Sequence, residues 1–152
     1  MAASYGDEVR TLAGLCAECG GRCCTGTFII LSRPEYRRLK RVLDFKAMTV
    51  RSPHGSVKTI KAALGQPCPF LGQSGCTLAA GQRPLNCRLF PLTFTVEDGR
   101  VKFRLSGLCQ FAKRAGKLDK WLKKAKKDAL KEFARDWSEK ELLCHSHYAK
   151  KL

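Results

Sequence analysis

The sequence predicts a small α+β single domain organised around a cysteine-bound metal site, with a β-hairpin and a C-terminal helical segment. Three observations carry this expectation. Nine cysteines are spread along 152 residues, four of them between Cys16 and Cys24. Residues 92–105 alternate apolar and polar side chains about Asp98-Gly99, the pattern of a two-residue hairpin. From Gln110 onward apolar residues recur at steps of three and four, the period of a helix. The working division is one domain over 1–152, of which 110–152 is a basic helical segment.

The bulk composition fits. At this length, with 44% hydrophobic residues, one modest core is expected. The first residues show neither the basic leader nor the apolar run of a secretion signal, and no later stretch reaches membrane-span length, so a soluble cytoplasmic protein is expected. In a reducing compartment, nine cysteines with an adjacent Cys23-Cys24 pair suit metal ligation better than a disulfide framework. Lys and Arg number 29 against 13 Asp and Glu, a net charge of +16. Two four-thiolate sites, each carrying about −2 with its metal, would leave roughly +12. An acidic partner suits that balance.

Taken in order, residues 7–15 place Val9, Leu12 and Leu15 on a short helical face leading into the cysteines. Thr27-Phe28-Ile29-Ile30-Leu31 is a brief run of β-formers. Ser32-Arg33-Pro34-Glu35 then has capping-box spacing with Pro in the first turn, so a helix follows, with Tyr36, Leu39, Val42 and Leu43 inward and Arg37, Arg38, Lys40 and Arg41 outward. Ser52-Pro53-His54-Gly55 marks a turn, while Val57, Ile60 and Leu64 suit a strand or a helix equally. From Gln66 to Pro91 Cys, Pro and Gly are dense and periodicity is absent, as expected where backbone wraps a metal. In the hairpin, Val96 should pair with Val101, Phe94 with Phe103 and Leu92 with Leu105. Beyond it, Gly116 and Asp119 divide two helices. Trp121, Phe133 and Trp137 form a core stripe, and Ser138-x-x-Glu141 opens a last helix.

Thiolate sulfur is soft and anionic, so sets of four satisfy zinc, and the same ligand holds iron–sulfur clusters. Cys16-x2-Cys19 suits two ligands on one tight turn, with Gly20-Gly21 letting the chain fold beside it. Cys23 and Cys24 diverge as neighbours, which leaves two nearby sites or one larger cluster open. Arg83 and Arg88 flank Cys87, where they can balance thiolate charge or donate to sulfur or carbonyls. His54, in its turn, reads as surface.

A resemblance now becomes specific. The run Cys16-x2-Cys19-x3-Cys23-Cys24, with Cys68-x-Phe70-Leu71, Gly75-Cys76-Thr77-Leu78, Arg83-Pro84-x2-Cys87-Arg88-x-Phe90-Pro91 and Cys109, resembles a cysteine-cluster family of CxxCxxCC type described as zinc- or iron-chelating. The similarity spans about residues 16 to 115 and includes an acidic residue at Glu35. It implies metal ligation by Cys16, Cys19, Cys23, Cys24, Cys68, Cys76, Cys87 and Cys109, and it tips a nearly even choice of cofactor towards an iron–sulfur cluster, with zinc open. Two features depart from the pattern. Three residues, not two, precede the Cys pair, and Cys144 lies outside, expected as a free or buried thiol, although His145 and His147 beside it leave a minor metal option.

Some proteins similar to this family are flagellin lysine N-methylases, and the resemblance implies that those enzymes are longer. This chain has no GxGxxG-type loop, Gly26 stands where a radical-type motif would have its third cysteine, and its three histidines form no Ser/His/Asp set. Whether it is an enzyme stays open, with an iron–sulfur-dependent redox or protein-lysine-modifying activity as one alternative. Another is a zinc-stabilised module that binds RNA or an acidic protein through Lys113, Lys117, Lys120, Lys123, Lys124, Lys127 and Lys131, a face with no base-reading signature.

Overall fold

A computed structural model describes residues 3–20, 29–42, 47–60, 67–73, 75–107 and 109–150. The first helix, α1 (Tyr5–Cys19), begins where Ser4 and Asp7 cap one another: the Asp7 N–H donates to the Ser4 hydroxyl, and the Ser4 N–H donates to the Asp7 carboxylate, each at 3.2 Å. It ends at Gly20, whose φ of 66° lies in the left-handed region that side chains disfavour. The helix is therefore longer than the face expected over 7–15 and includes Cys16 and Cys19. Those two do not sit on the tight turn that their spacing suggested. The two caps carry helical backbone through both, and their three-residue spacing keeps them on one side of its last turn.

The expected strand over 27–31 is present as β1 (Ile30–Leu31), with 27–28 outside the described residues. Helix α2 (Arg33–Val42) follows from the anticipated box, with Glu35 and Leu39 buried. The undecided stretch is a hairpin, β2 (Met48–Ser52) and β3 (Gly55–Thr59), turning at Pro53-His54, and Leu64 lies outside the described residues. Strand β3 pairs antiparallel with both β2 and β1, giving the order β1-β3-β2 with Val50 opposite Val57.

Within 66–91 the described chain forms a small hairpin, β4 (Leu71–Gly72) and β5 (Gly75–Cys76). After a single 3-10 turn at Ala80–Gln82 comes α3 (Leu85–Leu89), a helix that periodicity did not announce. The next hairpin, β6 (Leu92–Glu97) and β7 (Arg100–Leu105), has the expected register, Leu92 with Leu105, Phe94 with Phe103 and Val96 with Val101. Asp98 and Gly99 have φ of 51° and 70°, the double left-handed backbone of a type I′ turn.

The C-terminal segment is α4 (Ala112–Ala115), α5 (Asp119–Asp136) and α6 (Glu139–Ala149), broken where Gly116, Asp119 and Ser138 predicted. Ala129 is buried and Leu130 is 48% exposed, which fixes the rotation of α5. At the centre, Phe94 has its ring 4.5 Å from Phe133, 6.1 Å from Trp137 and 3.9 Å from His145, centroid to centroid. Burying such an aromatic contributes about 2–3 kcal/mol. Helix α6 lies across β6 and the three-stranded sheet, and α1 packs on α5. Among the described residues no helix is long and apolar enough to cross a membrane.

Three carboxylates join these elements end to end. Glu141 accepts from its own cap, the Ser138 N–H at 2.7 Å, and from the Arg33 N–H opening α2 at 2.9 Å. Glu35, on α2, accepts from the Ser32 N–H at 2.8 Å and from the Leu85 N–H opening α3 at 2.6 Å. Glu8, on α1, accepts from the Trp121 N–H in the first turn of α5, whose cap residue Leu118 supplies no side-chain acceptor. Each satisfies an amide that a helix start would otherwise leave orphaned.

Candidate metal centre

Seven of the nine cysteines fall among the described residues, and Cys23 and Cys24 lie outside them. The seven divide into three places. Cys16, exposed, and Cys19, half-buried, share the last turn of α1. Cys109, half-buried, stands in the turn before α4, where its N–H donates to the Ser106 carbonyl at 3.3 Å. Burial pushes the Cys109 thiol up, opposed by a hydrogen bond with the Phe111 backbone, with Cys19 adding a smaller upward push. A stretched Glu18–Arg114 pair at 3.9 Å also links the end of α1 to α4, although both groups are exposed and the pair adds little stability.

The second place is the smaller apolar cluster, where Cys68, Cys76 and Cys87 pack with Ile29, Leu31 and Leu39. Three different local structures deliver them. Cys68 is buried just before β4, its carbonyl accepting from the Leu71 N–H at 3.0 Å. Cys76 is opposite Leu71 on β5. Cys87 lies inside α3, whose position is fixed on three sides. Glu35 holds its first amide, the Asn86 side-chain amide donates to the Ile30 carbonyl at 2.9 Å, and Arg88 donates to both Glu132 oxygens at 2.9 Å. Of the arginines flanking Cys87, Arg83 donates to the Leu78 carbonyl at 3.1 Å, and Arg88 donates to the Arg83 carbonyl at 3.0 Å while pairing with Glu132.

The third place is separate. Cys144 is fully buried in the main core, with its sulfur 2.9 Å from the Ser52 hydroxyl in a hydrogen bond. His145 stacks on Phe94, and burial pushes its imidazole down to about 3, against a hydrogen bond to the Phe94 backbone, so it is neutral across the physiological range. Among the described residues no group of three or more His, Cys, Asp or Glu side chains is arranged to hold a metal ion, here or at the other two places. The donors are the type zinc and iron take, and they are brought into two neighbourhoods, but the eight-cysteine centre expected from the sequence is not assembled among the described residues. Neither the capping of α3 by Glu35 nor that of α5 by Glu8 was anticipated.

The architecture is thus a small α+β domain in which the described cysteines outside the main core lie near the end of one helix and around another short one. Residues 15–117, well over half of the chain, match the family described as "CxxCxxCC: Putative zinc- or iron-chelating domain", and the chain belongs to that family. No curated protein and no solved structure matched the chain.

Burial pushes the Glu35 carboxyl above its ordinary 4.5, opposed by the Leu85 and Ser32 hydrogen bonds. Because the folded carboxyl keeps its proton to higher pH than the unfolded one, its stabilising contribution is complete below the unfolded value and is lost as pH rises through the folded value. The wild-type urea midpoint should therefore fall relative to that of Glu35→Gln as pH is raised across that interval. Parallel pH profiles for the two proteins would contradict this.

Proposed function

We propose that the chain is a metal-binding protein that holds an iron–sulfur cluster through Cys16, Cys19, Cys23, Cys24, Cys68, Cys76, Cys87 and Cys109, with zinc as the alternative metal and a structural or redox role. The family match over residues 15–117 is the observation that carries the reading. Bound metal would supply covalent closure between distant segments and, as a cluster, a site for an electron. The protein's part is position. Glu8 sets α1, and with it Cys16 and Cys19, against α5, while Glu35 and Arg88 set the Cys87 turn. Holding thiols on capped helices limits the entropy lost when they bind.

Cys16→Ser, Cys19→Ser and Cys87→Ser should each lower metal bound per chain, through a loss of affinity larger than the roughly 10–100-fold that outer-shell changes cause, and each should lower the melting temperature. Cys144→Ser should leave metal content unchanged, its partners being Ser52 and the Gly55 carbonyl. Wild-type metal content in the first three would overturn the assignment.

A second reading, binding of RNA, draws on α5. Lys120, Lys123, Lys127 and Lys131 are all exposed on the side opposite Trp121, Ala129 and Phe133, a stripe about 17 Å long at helical rise. Such a stripe suits a phosphate backbone without reading bases. If all four lysines contact single-stranded RNA, the logarithm of affinity against that of salt should slope by about −3. Absence of affinity at low ionic strength, measured by fluorescence anisotropy, would remove this reading.

A further inference from the structure

Along α2, Arg37 and Arg38 lie three and four residues after Pro34 and four and three before Arg41, so the four share one side of the helix. They line an open cavity of about 350 Å³. The rotation of the helix is fixed from the opposite side, where Glu35 and Leu39 are 1% and 0% exposed, so the three guanidinium groups are held outward together. Among the described residues that line the cavity none is acidic. Asp136, at the end of α5, feels Arg38 only weakly and is already paired with Arg135 at 2.7 Å. Arg37 and Arg41 are in none of the ion pairs formed among the described residues. Lys40, another cation of the helix, has its ammonium 5.8 Å from the centre of the Tyr36 ring.

Like charges one turn apart on a helix repel, and an anion between them removes that repulsion. Guanidinium forks match pairs of oxygens on one centre, and a terminal phosphate offers three such oxygens with about −1.5 to −2 charge, where a carboxylate offers two oxygens and a single charge. We propose that this cavity binds a phosphate group, presented as inorganic phosphate or as the terminal phosphate of a small phosphorylated ligand. The site is distinct from the cysteines and from the lysines of α5, and it does not rest on the metal reading.

Calorimetric titration of the full chain with inorganic phosphate, and separately with a nucleoside monophosphate, tests it. The tighter of the two probes tells the free anion from the ester. Arg37→Ala combined with Arg41→Ala should weaken binding by about tenfold or more, as expected for lost charge-assisted hydrogen bonds. Both residues are exposed, so the fold should be unaffected. Arg37→Lys combined with Arg41→Lys keeps the charge but loses the forks and should also bind more weakly, while Arg51→Ala with Arg100→Ala, both exposed and outside every site described above, removes the same charge elsewhere and should bind as wild type. The proposal is overturned if neither probe binds the wild type, if the lysine-for-arginine protein binds fully, or if the two alanine pairs lose affinity equally.

Discussion

Glu35 accepts one backbone hydrogen bond from the residue before its own helix and another from the first residue of α3, and both carboxylate oxygens are used inside a nearly water-free site. Helix starts carry unpaired amides and a positive dipole end, so one buried carboxylate can terminate two of them at once. Glu141 repeats the device between α6 and α2, and Glu8 does so for α5 from α1. The result is a chain of caps, α6 to α2 to α3, joined through the main core to α5 and α1. These contacts span 108, 50 and 113 residues of sequence, so each closes a large part of the chain.

That linkage gives the cysteines their placement. The smaller apolar cluster, with Cys68, Cys76 and Cys87, forms where α2 meets α3, and the Glu35 carboxylate is the polar tie across that junction. Cys16 and Cys19 inherit their position from α1, which Glu8 fixes against α5, and the Glu18–Arg114 pair brings the end of α1 to α4, just after Cys109. Metal thiolate bonds would add to a scaffold whose main core includes, among the described residues, only one cysteine, Cys144.

Features that depend on neighbours in sequence were legible from it. The hairpin register follows from strict alternation and an Asp-Gly turn, both local signals. The breaks between α4, α5 and α6 follow from Gly116 and the Ser138–Glu141 box. Residues 48–59 were not, because Val57 and Ile60 satisfy a strand or a helix equally and only pairing with β1 decides. Within α3, five residues are too few to show a period, and its main tether is Glu35, fifty residues away. The cysteine spacing announced ligands without announcing their supports. Cys16 and Cys19 read as a turn because the helix that contains them is defined by Ser4 and Gly20 at its two ends.

The central claim, that metal joins cysteines which capped helices have already positioned, is met most directly by metal and acid-labile sulfide analysis of anaerobically prepared protein together with its visible absorption. The account predicts stoichiometric iron with matching sulfide and a coloured protein, or stoichiometric zinc in a colourless one. A folded chain with neither metal bound at stoichiometry would contradict it.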